Sequence, residues 1–180
     1  MILFRHCDPR FPFLWESVDQ PPARWHVEGE GPVQYLADTP DGAWAELLRH
    51  EEITNEADLL GVERDLWAID LPPEKWPPVA PSLPSAVLQG DLDSYDDCRA
   101  EARRLRTQVG DGFITPSAAL LPGAASGWRV EGGGLKPGAP RDGTVVVLFG
   151  ARPDLTGWLA CSRGRPHARL LLNVRYLSSR

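Results

Sequence analysis

The stretch Ala23-Arg-Trp-His-Val-Glu-Gly-Glu-Gly-Pro-Val-Gln-Tyr-Leu-Ala-Asp-Thr-Pro-Asp41 decides the fold. Two short runs, residues 23–27 and 33–37, flank a Gly-containing turn at 28–32, which predicts two neighbouring strands joined by a loop of hairpin length. Thr39-Pro40-Asp41 then reads as a helix start: a hydroxyl N-cap, proline at the first helical position, and an acid near the positive end of the dipole. The helix is expected from about Pro40 to Glu52.

Working outward, residues 66–71 (Leu-Trp-Ala-Ile-Asp-Leu) read as another strand, followed by 72–85, where six of fourteen residues are proline and only an extended connector fits. Apolar Tyr95, Cys98, Ala102, Leu105 and Val109 recur at steps of three and four, predicting an amphipathic helix over 94–109 with arginines outside and a C-cap at Gly110. Gly112 to Thr115 leads into Pro116-Ser117-Ala118. The stretch 121–143 holds seven glycines and three prolines and reads as a long loop, functional or disordered.

Residues 144–149 (Thr-Val-Val-Val-Leu-Phe) are the strongest buried-strand signal, and a terminal hairpin is expected, 157–162 against 168–174 around Arg-Gly-Arg-Pro. At the other end, Phe4, Phe11, Phe13, Leu14 and Trp15 lie among four prolines, an entry segment packing aromatics onto a core. Strands and helices in uneven order, without an internal repeat, predict an α+β fold. One domain is expected over residues 1–180.

Composition narrows the function classes. At 180 residues, 42% hydrophobic and 24% charged, the chain can bury a core, and 17 glycines with 18 prolines stop short of low complexity. A net charge of −6 argues against binding nucleic acid directly. Three widely spaced cysteines, Cys7, Cys98 and Cys161, suggest neither a disulfide framework nor a metal site. Charge and proline break the N-terminus before a signal-peptide core forms, and no apolar run approaches the roughly 18 residues of a membrane span, so a cytoplasmic protein is expected. Only Lys75 and Lys136 are lysines among 19 basic residues. The 17 arginines reflect either codon bias or a need for guanidinium forks that grip phosphate or carboxylate.

Period-two alternation on residues 23–27 would set Arg24 and His26 on one face, while Tyr35 shares a face with Val33 and Ala37. Paired strands would bring Arg24 and Tyr35 to one cleft, with Glu46, in the second turn of the helix, at its mouth. Each residue also has a plain reading: Arg24 in a structural ion pair, Tyr35 in the core, Glu46 paired with Arg49 or His50, and Ser117 in a turn. His6, His50 and His167 read as structural or surface residues. Trp25, Trp44 and Trp128 read as packing, with Trp128-Arg129 a candidate lid. The basic tail from Leu155 reads as a solvated hairpin or a docking surface for an acidic partner.

Taken together, Arg24-Trp25, Gly29 and Gly31, Tyr35-Leu36-Ala37, Ala43, Glu46, Asp111-Gly112 and Pro116-Ser117 resemble the RES domain family, from about Arg5 to Phe149. The steps of eleven from Arg24 to Tyr35 and from Tyr35 to Glu46 are similar to that family's. The chain departs from it at His26, where Asn is more usual, and in the long Gly-rich stretch before Thr144. The resemblance implies a compact β-sheet core with a few flanking helices, like that of ADP-ribosyltransferases, and NAD as substrate, with no cofactor and no metal. It also implies membership of a toxin–antitoxin pair, with a helix-turn-helix antitoxin covering the cleft. Glu46, Arg24 and Tyr35 are then the catalytic set, and Arg24, Tyr35, Ser117 and His26 the NAD-binding set.

The chemistry of these side chains agrees. Breaking the nicotinamide–ribose bond develops positive charge on the sugar, which a carboxylate stabilises. A guanidinium suits pyrophosphate, the Tyr35 ring can stack on nicotinamide, and the Ser117 hydroxyl can bond phosphate or ribose. No GxGxxG follows a strand, which argues against Rossmann-type binding. Three outcomes stay open: NAD degradation with water or phosphate as acceptor, ADP-ribosyl transfer to a protein or small molecule, and a non-catalytic NAD-binding module.

Overall fold

A computed structural model describes residues 1–178. In chain order the elements are β1 (Ile2–Cys7), β2 (Val33–Ala37), α1 (Pro40–His50), α2 (Glu56–Leu59), β3 (Arg64–Asp70), α3 (Ser85–Leu88), α4 (Tyr95–Val109), β4 (Gly112–Pro116), β5 (Trp128–Glu131), β6 (Gly134–Pro137), β7 (Thr144–Phe149) and β8 (Thr156–Gly164). Six strands form one sheet in the order β4-β7-β2-β1-β3-β8, with every neighbouring pair antiparallel. The fold is α+β, as expected.

The apolar run of β7 follows from burial on both faces. Val145, Val147 and Phe149 pack with Trp25, Phe113 and the apolar stripe of α4 (Cys98, Ala102, Leu105). Val146 and Leu148 pack on the opposite face with Leu3, Leu36 and Ile69. The side chain of Val109 lies outside the described residues. A third cluster sits beside the α4 cluster, where Ala43, Trp44, Leu47 and Leu48 of α1 meet Ala37 and Leu120. The Thr39 hydroxyl caps α1 by accepting from Gly42 N at 2.9 Å. Gly112 lies at the β4–β7 crossing with φ +153°, where a Cβ would stand 2.2 Å from the Val147 carbonyl oxygen, so only glycine lets the strands approach.

Four local expectations need correction. Residues 23–27 are not a strand: Ala23 N donates to the His26 carbonyl at 3.1 Å across a tight turn. Arg24, Trp25 and His26 are 7, 2 and 0% exposed, so alternation fails because three successive side chains find three different buried surroundings. The N-terminal segment supplies β1, a strand in the interior of the sheet, although Phe13 and Leu14 do pack on the core. The stretch 121–143 contains the β5–β6 hairpin. The terminal hairpin is absent among the described residues: β8 pairs with β3, and residues 168–173 form a 3-10 helix. No helix among the described residues is long and apolar enough to cross a membrane.

Candidate active site in the wedge of the sheet

Neighbouring strands elsewhere in the sheet are laddered over five or six residue pairs, but β1 and β2 meet at a single one, Phe4 with Ala37. A cavity of about 190 Å³ occupies this wedge. Phe4, Arg5 and His6 of β1 line it on one side, and Tyr35 and Ala37 of β2 on the other. Helical spacing turns Ala43, Glu46 and His50 of α1 toward it. Arg24, Arg49, Tyr95 and Thr115 complete the polar and aromatic wall. Arg5, Arg24 and Arg49 face a single carboxylate, Glu46, so the cavity favours an anionic ligand. Among the described residues no group of three or more His, Cys, Asp or Glu side chains stands close enough to hold a metal ion.

Tyr35 is held from behind. Pro21 O can only accept, so His26 Nε2, 3.0 Å away, carries the imidazole proton. His26 Nδ1 then accepts from the Tyr35 hydroxyl at 2.9 Å, and that oxygen accepts from Trp25 N at 3.2 Å. Burial pushes the His26 pKa down and the Tyr35 pKa up, so both stay neutral. His26 does not line the cavity; it buttresses Tyr35.

Arg24 crosses to the segment before α4. Its Nη1 donates to Val87 O, Ser94 Oγ and Cys98 Sγ, its Nη2 donates to Gly90 O at 2.6 Å, and its guanidinium lies 4.6 Å from the Tyr95 ring centroid. Among the described residues its Nε–H has no partner.

Arg49, one turn beyond Glu46, is 1% exposed. It donates to the carbonyls of Ala118 (3.0 Å), Gly90 (2.7 Å) and Arg175, and meets Asp91 at 3.5 Å. Gly90 O thus accepts from two guanidinium groups, and Arg49 ties α1 to the 90–91 turn, the segment after β4, and the C-terminal segment.

Ser117 is 2% exposed and is not part of the cavity wall. Its oxygen accepts from Ala119 N at 3.2 Å and Leu120 N at 3.1 Å, which directs its proton to Glu46 Oε1 at 3.4 Å. The structure therefore brings Arg24, Tyr35 and Glu46 to one cavity, and sets Ser117 and His26 behind two of them.

His6, unlike the structural or surface role expected, lines the cavity, with its ring stacked on Trp44 at 6.4 Å and 11°. Enclosure by protein and the neighbouring Arg5 charge push its pKa from 6.5 to about 3. Arg5, which donates to Gln34 Oε1 at 3.4 Å, is itself pushed down by burial to about 10.

The His6 shift has a sign. Between pH 6.5 and 3 the unfolded chain binds a proton that the folded chain does not, so stability falls on acidification through that window. Urea unfolding at pH 7 and pH 5 is expected to show the native protein losing about 2 kcal/mol more than His6→Phe, which keeps the stack on Trp44 without titrating. Equal losses would refute the assignment.

Of the remaining residues weighed from sequence, His50 lines the cavity rim, and His167 is exposed and caps the 3-10 helix. Trp44 is core, while Trp128 is 47% exposed on β5 with Arg169 over its ring. Tail arginines are partly engaged by their own chain: Arg163 pairs with Glu63, and Arg175 donates to Ala118 O. Arg180 lies outside the described residues.

A splayed antiparallel sheet thus frames a cation-rich, aromatic cavity around one carboxylate. The chain is a member of the RES domain family, whose model matches residues 3–131, well over half of its length. That match ends inside the β5–β6 hairpin, short of the Phe149 limit expected from the motifs. No curated protein matches the chain. Tyr95, Thr115, His50, Arg49, Arg5 and His6 are wall residues that sequence reasoning missed. The signal available for the last two was a broken apolar pattern in an otherwise strand-like segment, Ile2–Cys7.

Proposed function

We propose that the protein cleaves the nicotinamide–ribose bond of NAD, with water or phosphate as the acceptor. The observation that carries this reading is the lone Glu46 carboxylate in a cavity lined by three arginines and by Tyr35 and Tyr95. The C1′–N bond breaks with its electron pair going to nicotinamide, which leaves neutral, so no general acid is needed. Glu46 faces the oxocarbenium-like ribose and stabilises its positive charge. The acceptor oxygen then bonds to C1′ and its proton passes to solvent.

Tyr35, immobilised by Trp25 N and His26, presents its ring to the nicotinamide. Arg24 draws the adjacent phosphate by its charge and its open Nε–H edge. Ser117 acts as a positioning residue through Glu46, and His26 as one through Tyr35. Turnover of this kind depletes NAD, the action of a growth-arresting toxin, and a helix-turn-helix antitoxin would silence it by covering the wedge.

The test is nicotinamide release from NAD by purified protein, with and without phosphate. Release accompanied by ADP-ribose or its phosphorylated form is the expected result, and no release in either buffer overturns the reading. Label from NAD fixed on one macromolecule of a cell extract would replace degradation with ADP-ribosyl transfer. Ser117→Ala is expected to lower kcat about ten-fold with little change in KM, because it frees the Glu46 carboxylate without touching the wall.

A further inference from the structure

A dinucleotide is larger than the wedge. Sites that enclose a ligand of drug size run to roughly 300–1,000 Å³, whereas the cavity holds about 190 Å³. It has room for the reacting nicotinamide and ribose, and the adenylate half must lie outside.

The adjoining concavity is a groove of about 510 Å³ that wraps the edge of β4. Thr115 and Pro116 line both spaces, and Val145 in the cavity is preceded in the chain by Thr144 in the groove. The groove is apolar and nearly rigid: Trp76, Pro77, Pro78, Val79 and Ala80 form one bank, with Ile114 opposite. Ile114 N donates to Val79 O at 3.0 Å, fixing the proline segment to the strand. Locked prolines beside an indole offer a flat, low-entropy surface, which suits a planar base better than a charged group.

We infer that this groove is the adenylate subsite, with the adenine ring on Trp76 and the pyrophosphate passing Thr115 and Pro116 on its way into the wedge. The inference rests on the NAD reading and names the part of the substrate that the cavity leaves out.

Titration calorimetry with AMP, ADP-ribose and nicotinamide mononucleotide tests it on three proteins. Ala80→Glu puts a carboxylate on an exposed position of the groove, which keeps the fold intact, and Trp76→Ala removes the ring. AMP and ADP-ribose are expected to bind at least about ten-fold more weakly to both variants, and the ratio of their affinity to that of the mononucleotide should fall with it. Trp76→Phe should recover most of the AMP affinity. Equal AMP binding by native protein and Ala80→Glu, or no AMP binding to the native protein at millimolar concentration, overturns the inference. Nicotinamide release measured in parallel separates the two readings: AMP held in the groove without release sinks the cleavage alone, and release with an indifferent groove sinks the subsite alone.

Discussion

Glu46→Gln is expected to abolish nicotinamide release, lowering kcat by about 10²–10³-fold or more, while the KM for NAD stays within about three-fold. The argument is electrostatic. The amide has the shape of the carboxylate, and its oxygen still accepts the Ser117 hydroxyl, so the α1–Ser117 contact survives. What disappears is the only negative charge among the cavity-lining side chains, opposite three cations. Without it the guanidinium groups oppose the oxocarbenium-like state instead of only holding phosphate, and the barrier rises at the chemical step. Calorimetric binding of ADP-ribose by Glu46→Gln should match or exceed that of the native protein, since an anionic ligand loses a repulsive neighbour. A variant that still turned over at a native rate would remove Glu46 from the mechanism.

The largest effect on the fold is expected at Arg49. Arg49→Met should cost about 3–5 kcal/mol in urea unfolding, with a loss of turnover beyond what the unfolded fraction explains. Methionine fills the space but leaves the Arg175 carbonyl without its donor and takes from the Gly90 and Ala118 carbonyls one of their two, in a buried setting. Arg49→Lys should fall between the two, because one ammonium on a flexible stem does not reproduce a planar fork that spans three carbonyls. Burial and the neighbouring Arg24 charge already push the Arg49 pKa down, so the hydrogen bonds, rather than a strong ion pair, hold this cation in place. A loss below about 1 kcal/mol in Arg49→Met would show that the segments it joins are held by other contacts.

These two residues mark the boundary of what was legible in the chain. Glu46 was readable because helix α1 announces itself locally, through Thr39 and Pro40, and because its position relative to Tyr35 follows from two regular elements. β7 and α4 were readable for the same reason, each being a periodic pattern that burial on known faces explains. Arg49 was not, since an arginine in the last turn of a helix looks like a solvated charge until distant segments converge on it. β1 was hidden by its own placement: Arg5 and His6 border the wedge, and polar residues there erase the apolar period of an interior strand. Residues 23–26 misled for the opposite reason, because their alternation is an accident of a turn whose side chains part to Cys98 of α4, Phe113 and Tyr35. The turn still delivers Arg24 to the cavity wall that the imagined strand would have reached, whereas His26 ends behind Tyr35.

The single Phe4–Ala37 rung has a mechanical consequence. Among the described residues one backbone rung joins the two halves of the sheet, β4-β7-β2 and β1-β3-β8, which are otherwise held together by Leu36, Val146 and Leu148 packing against Leu3 and Ile69. Of the seams in the sheet this one has the fewest backbone bonds, and the carboxylate-bearing helix borders it. A ligand that needs more room in the wedge meets apolar packing there and little backbone ladder, so this seam is where the sheet yields at the least cost in hydrogen bonds.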